Sequence, residues 1–379
     1  MEYIVLYLIA LFPVFYYDNS KRVDANNRYL IFEWLCVVCL MGFRYHVGGD
    51  SFSYEDKYAN YPTLSHIDNF NFSASNYGLL WDFFTIFCKS ISKEFWVQQI
   101  LLSMFVNFSF FYFFKRHARN YFLAIFFYIL LYIFKYNTEV LRASMSVAVF
   151  LFSFDYLIKK KWLKYYVFCV IAFLFHQEAT ILFFLPLIHL FDKVKINILT
   201  VVIILGIVYF LTTSLSLFPV FQELALSDAI ILGKLEKYGT IVEVQINIFG
   251  ILYNLVVNYF SVCALIWLRK DVRDKYNALL LLYIVFRLLS LRWSHITGRL
   301  EDFFILFVIA AFINQLNKEV VISRKIILKV AISAFVVLTF VNTTLRLFPL
   351  VYPYHSIFNP VDEPDRELLF IQMVNNEDI

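Results

Sequence analysis

The chain has 379 residues, 61% of them hydrophobic and 16% charged, with a mean hydropathy of +0.68 and a formal net charge of +4. That balance excludes a soluble globular protein and describes a polytopic membrane protein. The longest stretches without an apolar run are about 30 residues, too short to bury a core of their own, so function must sit in a helix bundle and its loops. Lys and Arg are dispersed, which gives no reason to expect nucleic acid as a partner.

A spanning helix needs about 20 apolar residues and no fewer than about 17. In chain order the candidate spans are 3–17, 29–43, 95–114, 121–135, 139–158, 163–176, 178–191, 198–216, 249–268, 277–293, 300–316 and 326–346. Met1 leads into the first without a basic n-region or a small-residue cleavage site, so a membrane helix is expected there rather than a signal peptide. The expected fold class is all-α: a polytopic integral membrane helix bundle of about 12 transmembrane helices. Residues 1–346 would form one transmembrane domain and 347–379 an extracytoplasmic tail.

Basic residues collect in five places: Lys21, Arg22 and Arg28; residues 115–119; 159–164; 269–275; and Lys318 to Lys325. Loops rich in Lys and Arg stay on the cytoplasmic side. All five share that side if the N-terminus is outside and the external regions are 44–94, 135–140, 176–178, 217–248, 293–299 and 347–379. Residues 163–191 then fold as a hairpin with its tip at His176-Gln177-Glu178. Residues 77–93 are interrupted by Asp82 and Lys89 and read as an interfacial or re-entrant helix on the outer face. The five cysteines lie in or beside apolar runs and form no disulfide framework. The 45 Phe and 26 Tyr fit either the codon bias of a low-GC bacterial genome or an aromatic groove for lipid or sugar.

Charges in or near apolar spans cost a few kcal/mol each and persist mostly where they pair or bind substrate. On this topology they gather outside. Arg44 closes the second span and is followed by a Gly48-Gly49 turn, Asp50, Tyr54, Glu55 and Asp56. Arg142, about one turn inside its helix, suits bidentate phosphate recognition; a salt bridge to Glu139 or a snorkelling side chain explains it equally. His176 is a titratable group between apolar runs, either hydrogen-bonded structurally or a general base oriented by Glu178. Arg292, His295 and Arg299 precede an apolar helix. If that helix begins near Thr297 or Gly298, Arg299 stands in its first turn, where an anion is favoured; alternatively it pairs with Glu301 or Asp302. Asp50 could serve as base, sugar-hydroxyl ligand or metal ligand. No metal-ligand spacing, nucleophile elbow, Walker loop or dinucleotide fingerprint occurs. Neither a metal nor a cofactor is therefore expected, and the residues suit transfer from a phosphate-activated donor.

Residues 43–58, FRYHVGGDSFSYEDKY, resemble the arginine, G-x-D and tyrosine pattern of the first external loop in the EpsG/Wzy family of bacterial polysaccharide polymerases. LRASMSVAVF (141–150) and AFLFHQEATILFFLPL (172–187) resemble its L-R-Q-x-x-A and F-H-x-S-A-x-x-x-x-P-L segments, with the basic KKKWLK turn between them. TGRLEDFF and the late YPYHSIF (352–358) are also similar. Two departures stand out: Ala143 replaces the glutamine after the arginine, and Gln177-Glu178-Ala179 replaces the small residues after the histidine.

The resemblance implies a GT-C-like polymerase/ligase architecture and an inner-membrane glycosyltransferase whose site faces outward. It would join undecaprenyl-pyrophosphate-linked repeat units into O-antigen or a related polysaccharide, without a metal. Arg44, Arg142, Arg299 and Arg292 would hold pyrophosphate, and His176, Asp50 or Glu178 would handle the acceptor proton. Tyr54, Glu139, His295, Tyr352 and Tyr354 would contact substrate. Implied partners are the lipid-linked donor and acceptor glycans, the bilayer and a chain-length regulator protein. The competing classes are a flippase of the same lipid-linked sugar, a membrane O-acyltransferase and a glycan ligase. Nine glycines and no internal repeat argue against the transporter.

Overall fold

In a bilayer every backbone polar group needs an internal partner, so a chain this apolar is forced into helices. The computed structural model describes residues 1–18, 23–72, 75, 77–193, 198–214, 253–269, 275–290, 299–366 and 368–369. The expected 217–248 loop, together with Lys21, Arg22, Arg292 and His295, lies outside them. Among the described residues there is no strand, only isolated bridges at Arg44, Ser356 and Asn359.

The helices are α1 (Glu2–Tyr16), α2 (Val23–Gly42), α3 (Gly49–Asn60), α4 (Leu79–Ile91), α5 (Trp96–His117) and α6 (Tyr121–Phe134), followed by a π turn at Lys135–Glu139. Next come α7 (Leu141–Ile158), α8 (Trp162–Phe175) and the short α9 (Thr180–Phe184), which passes into a 3₁₀ run at Leu185–Lys193. The rest are α10 (Ile198–Ser214), α11 (Ser261–Leu268) after a π turn at Asn254–Phe260, α12 (Lys275–Ser290), α13 (Ile305–Lys318) and α14 (Ile322–Val351). Each of the twelve apolar runs carries helix among its described residues. Among the described residues, four helical stretches, Trp96–His117, Tyr121–Glu139, Leu141–Ile158 and Ile322–Val351, are long and apolar enough to cross a bilayer by length and composition. Outward-facing apolar residues recur at helical spacing along α14, at Ile326, Val330, Val337, Val341 and Leu345, as a lipid-facing stripe does.

The expected polar turn after Arg44 is more ordered than its composition indicates: Gly49–Asn60 is a 12-residue helix. Its first turn carries Asp50, and Tyr54 follows four residues on, one turn along the same face. The segment 77–93 contains α4, whose 13 residues span about 20 Å at 1.5 Å per residue, short of the about 30 Å hydrocarbon layer.

The chain divides into two compact units, Met1–Pro186 with Thr339–Ile379, and Leu187–Leu338. In the first, α5 packs against α2, α6, α7 and α4, α7 against α8, and α1 against α6. A closed polar network holds its centre. Asn107 Nδ2 donates to Asn137 Oδ1 at 2.8 Å, the Tyr128 hydroxyl donates to Asn107 Oδ1 at 2.6 Å, and Asn137 Nδ2 donates to the Ile133 carbonyl at 2.8 Å. All three side chains are fully buried, and the bonds tie α5 to α6 and the π turn.

The two ends of this unit differ in chemistry. At one end Arg116 pairs with Asp155, joining the C-termini of α5 and α7, and Asp18 accepts from the Phe122 and Leu123 N–H groups at 3.1 and 3.0 Å, capping α6. Lys115, Arg116, Arg119 and Lys159–Lys161 collect there. The other end gathers α3, the N-termini of α1, α4, α5 and α7, the C-termini of α2 and α8, and the chain after α14. There the Tyr3 hydroxyl donates to the Val351 carbonyl at 2.7 Å and the Tyr354 hydroxyl to the Leu40 carbonyl at 3.0 Å.

In the second unit α12 packs on α10, α11 and α13. Residues 301–313 are buried throughout, and Arg287 Nη1 donates to Glu301 Oε1 at 2.7 Å.

Candidate functional site

The first unit's less basic end holds most of the expected site residues, and three local devices position them. Gly48 adopts φ +97, a left-handed conformation that side chains resist, and a Cβ there would collide with the Thr138 side chain. This approach sets the start of α3 against the π turn. Glu139 Oε1 then accepts from the Gly49 N–H at 3.1 Å and from the Thr138 hydroxyl at 3.0 Å. A carboxylate at a helix N-terminus satisfies an otherwise orphaned donor and complements the helix dipole. At Gly78, a Cβ would strike the carbonyls of Leu174 and Phe175, so the start of α4 lies directly on the C-terminal end of α8.

These contacts bring Tyr54 and Tyr77 onto Arg142. Arg142 Nε donates to the Tyr54 hydroxyl at 3.0 Å, and its guanidinium lies 4.3 Å from the centre of the Tyr77 ring. Tyr54 and Tyr77 stack at 6.3 Å, and Trp81 meets Tyr54 edge-on at 5.4 Å. Asp50 is within electrostatic reach of both Arg142 and Tyr54, and Asp82 of Arg142. Asp82 is buried and accepts from the Tyr61 hydroxyl at 2.5 Å. The Nε edge and one face of the guanidinium are thus engaged, while Nη1 and Nη2 bond to no described residue. The two terminal nitrogens of this half-buried fork keep the geometry that suits bidentate contacts.

Arg44 has a different environment. It is 1% exposed, Nη1 donates to the Met41 carbonyl, and Nε and Nη2 have no hydrogen-bond partner among the described residues. Burial lowers its pKa to about 10, against the favourable fields of Tyr354, Tyr3 and Glu139. Its backbone bridges to Ser356, in the chain after α14. Arg44 is therefore covered in this conformation, whereas Arg142 is partly exposed.

His176 caps α8 in extended backbone, φ −153 and ψ 123, and is 7% exposed. Its Nε2 lies 3.3 Å from Glu178 Oε2, so the structure brings the expected pair together. Gly78 connects it to Arg142: one residue earlier, Tyr77 stacks on the guanidinium, and Gly78 itself lies on Phe175, next to His176. Tyr354 is in the same unit, bonded to Leu40, while Tyr352 is 47% exposed and stacks on Phe348 at 4.9 Å.

Two expectations change. Glu139 and Arg142 form no salt bridge, because Glu139 is taken by α3 and Arg142 by Tyr54. Arg299 is not in the first turn of an α-helix: it precedes a 3₁₀ turn at Leu300–Phe303, with α13 beginning at Ile305, and it is exposed. Glu301, offered as its partner, belongs to Arg287. Arg299 lies in the second unit and Arg44, Arg142 and His176 in the first.

Sequence reasoning missed Tyr77, Trp81, Thr138 and the Tyr61–Asp82 pair. Nothing local marks Tyr77, which meets Arg142 from 65 residues away; the neighbouring Gly78 was the available hint of close packing. Among the described residues no three His, Cys, Asp or Glu side chains are grouped as a metal ion would require.

A family model described as the EpsG family matches residues 27–356, a span that contains every site residue discussed above. Neither a curated protein nor a solved structure matches the chain.

Proposed function

The chain belongs to the EpsG family of Wzy-like polysaccharide polymerases, and on that premise we propose that it joins undecaprenyl-pyrophosphate-linked oligosaccharide repeat units at the outer face of the cytoplasmic membrane. The acceptor glycan's hydroxyl oxygen attacks the anomeric carbon of the donor glycan. The bond from that carbon to the pyrophosphate oxygen breaks, and undecaprenyl pyrophosphate leaves with the electron pair. The acceptor proton passes to a base, His176 with Glu178 beside it or Asp50 on α3.

The observation that carries this reading is the fork of Arg142, with Nη1 and Nη2 bonded to no described residue and the rest of the group fixed by Tyr54 and Tyr77. Charge developing on the leaving pyrophosphate is stabilised by donors already in place, a role worth several kcal/mol in a water-poor site. We read the transfer as metal-independent, with arginine supplying the positive charge a cation would otherwise bring. The outward orientation rests on charge: the other end of the first unit carries Lys115, Arg116, Arg119 and Lys159–Lys161, and basic loops stay cytoplasmic. Stacked aromatics around Tyr54, Tyr61, Phe70 and Tyr77 offer faces for sugar rings. O-antigen or a related surface polysaccharide would be the product, with a chain-length regulator as partner.

Deleting the gene and resolving the surface glycan by size tests the proposal. Collapse of a ladder to a single repeat supports polymerisation. Complete loss would instead indicate a flippase or ligase, and a ladder of normal length lacking acyl groups an acyltransferase.

A further inference from the structure

His46 sits between two carboxylates from different parts of the chain. Its Nε2 is 2.9 Å from Glu55 Oε2 on α3, and its Nδ1 is 3.2 Å from Asp362 Oδ1 in the chain after α14. A neutral imidazole carries one N–H and one lone pair, so it can donate to only one of them. Both contacts are satisfied together when the ring carries two protons. His46 also holds φ +48, uncommon for a residue with a side chain, and Arg366 Nη1 fixes that turn by donating to its carbonyl at 2.7 Å.

The partner segment, residues 352–366, lies along residues 43–48 like a strap. The Tyr45 N–H donates to the His355 carbonyl and the Ile357 N–H to the Phe43 carbonyl, each at 2.9 Å, and the Tyr45 hydroxyl donates to Asp362 Oδ1 at 2.9 Å. Arg44 lies beneath, bridged to Ser356 and in the field of Tyr354. A cavity of about 180 Å³, lined by His46, Phe52, Glu55, Asp56, Asp362 and Glu363, opens beside the imidazole and gives water access to it.

We propose that His46 is a proton-operated clamp: doubly protonated, it fastens the 352–366 strap to α3 and keeps Arg44 covered, and on losing a proton it releases one carboxylate and loosens the strap. The charged and titratable groups facing it are Glu55 and Asp56 from α3, Asp362 and Glu363 from the strap, and the Tyr45 hydroxyl through Asp362. Glu363 is itself engaged by His355 at 2.8 Å. Burial alone would lower the His46 pKa, but Glu55 and Asp362 outweigh it and the net shift is upward. A raised histidine pKa means the clamp is complete below the ordinary value and is lost as pH rises through the raised one. The clamp is a property of the chain whatever its reaction; delivery of Arg44 to a pyrophosphate on opening rests on the polymerase reading.

The test is hydrogen exchange by mass spectrometry on the full chain in lipid nanodiscs, corrected for intrinsic rates, at about pH 5.5 and about pH 8.5. In the wild type, amides of 43–47 and 352–366 should exchange about tenfold faster or more at the higher pH. His46→Gln and Asp362→Asn should exchange fast at both. Asp362 is 76% exposed in its side chain, so that variant is expected to fold even if His46→Gln does not. Phenylglyoxal at neutral pH should modify Arg44 in both variants and spare it in the wild type. Equal wild-type protection at both pH values, an unaltered pH response in Asp362→Asn, or equal modification of Arg44 would overturn the proposal. None of these readouts requires glycan transfer, so a failed polymerase assignment leaves the clamp testable on its own.

Discussion

Glu139 and Arg142, three residues apart, take different partners: Glu139 holds the Gly49 N–H at 3.1 Å and Arg142 the Tyr54 hydroxyl at 3.0 Å. The helix that would have put them on one face is interrupted at Val140, whose φ −118 and ψ 50 are not helical. The π turn and this break turn the carboxylate toward α3 and leave the guanidinium fork for something else. An ion pair between the two would have left neither group for α3 or Tyr54.

The roles of Arg142 and Tyr54 separate by substitution. Arg142→Ala should cut polymer formation by about 100-fold or more, as loss of a preorganised donor to developing charge does. Tyr54→Phe keeps the ring and loses one hydrogen bond, so its cost should be nearer tenfold. Arg142→Lys should resemble the alanine variant, since an ammonium cannot make the fork. Single-turnover transfer with lipid-linked repeat units measures all three; wild-type rates in Arg142→Ala would remove it from the site.

His176 and Glu178 make a second pair to separate. His176→Ala should leave single-repeat products at normal protein level, and Glu178→Gln should slow transfer by a smaller factor, about tenfold, because it orients rather than accepts. A size ladder run beside an immunoblot of the membrane fraction reads both. Full-length ladders in His176→Ala would leave the proton to Asp50 or Glu178.

At Gly48 the expectation concerns stability. Gly48→Ala combines a left-handed φ of +97 with the Thr138 side chain and should cost about 1–3 kcal/mol. Adding Thr138→Gly should recover only the steric part, because the atom nearest the added Cβ is the Thr138 Cβ, which alanine would keep. Thermal unfolding of the detergent-solubilised protein measures the difference, and an unchanged midpoint in Gly48→Ala would mean that α3 does not depend on this approach.

The buried network at Asn137 should have a smaller effect. Asn137→Leu removes one acceptor of Asn107 Nδ2, which still donates to the Ser103 carbonyl at 2.7 Å, and should destabilise by about 1 kcal/mol, in line with hydrogen bonds between helices in membranes. Transfer activity should fall with it, since the network fixes the π turn that aims Thr138 and Glu139. Thermal unfolding together with the transfer assay shows whether the two losses travel together.

Composition and the spacing of apolar runs determined that this chain is a membrane helix bundle. In a bilayer the helix is the only way a continuous apolar segment satisfies its backbone, so runs such as 95–114 and 121–135 translate directly into α5 and α6. His176 and Glu178 were legible as candidates, being two residues apart at a helix end, but that their side chains lie 3.3 Å apart was not. Nor was what Arg142 does. Its partners Tyr54 and Tyr77 arrive from 88 and 65 residues away, and which of Glu139, Asp50 and Tyr54 it would meet depended on a π turn and a break at Val140. Polar side chains within reach of one another compete for the same few bonds, and sequence names the competitors without ranking them. Only tertiary packing, here the approach of Thr138 to Gly48 and of α8 to Gly78, fixed the distances that decided which bonds formed.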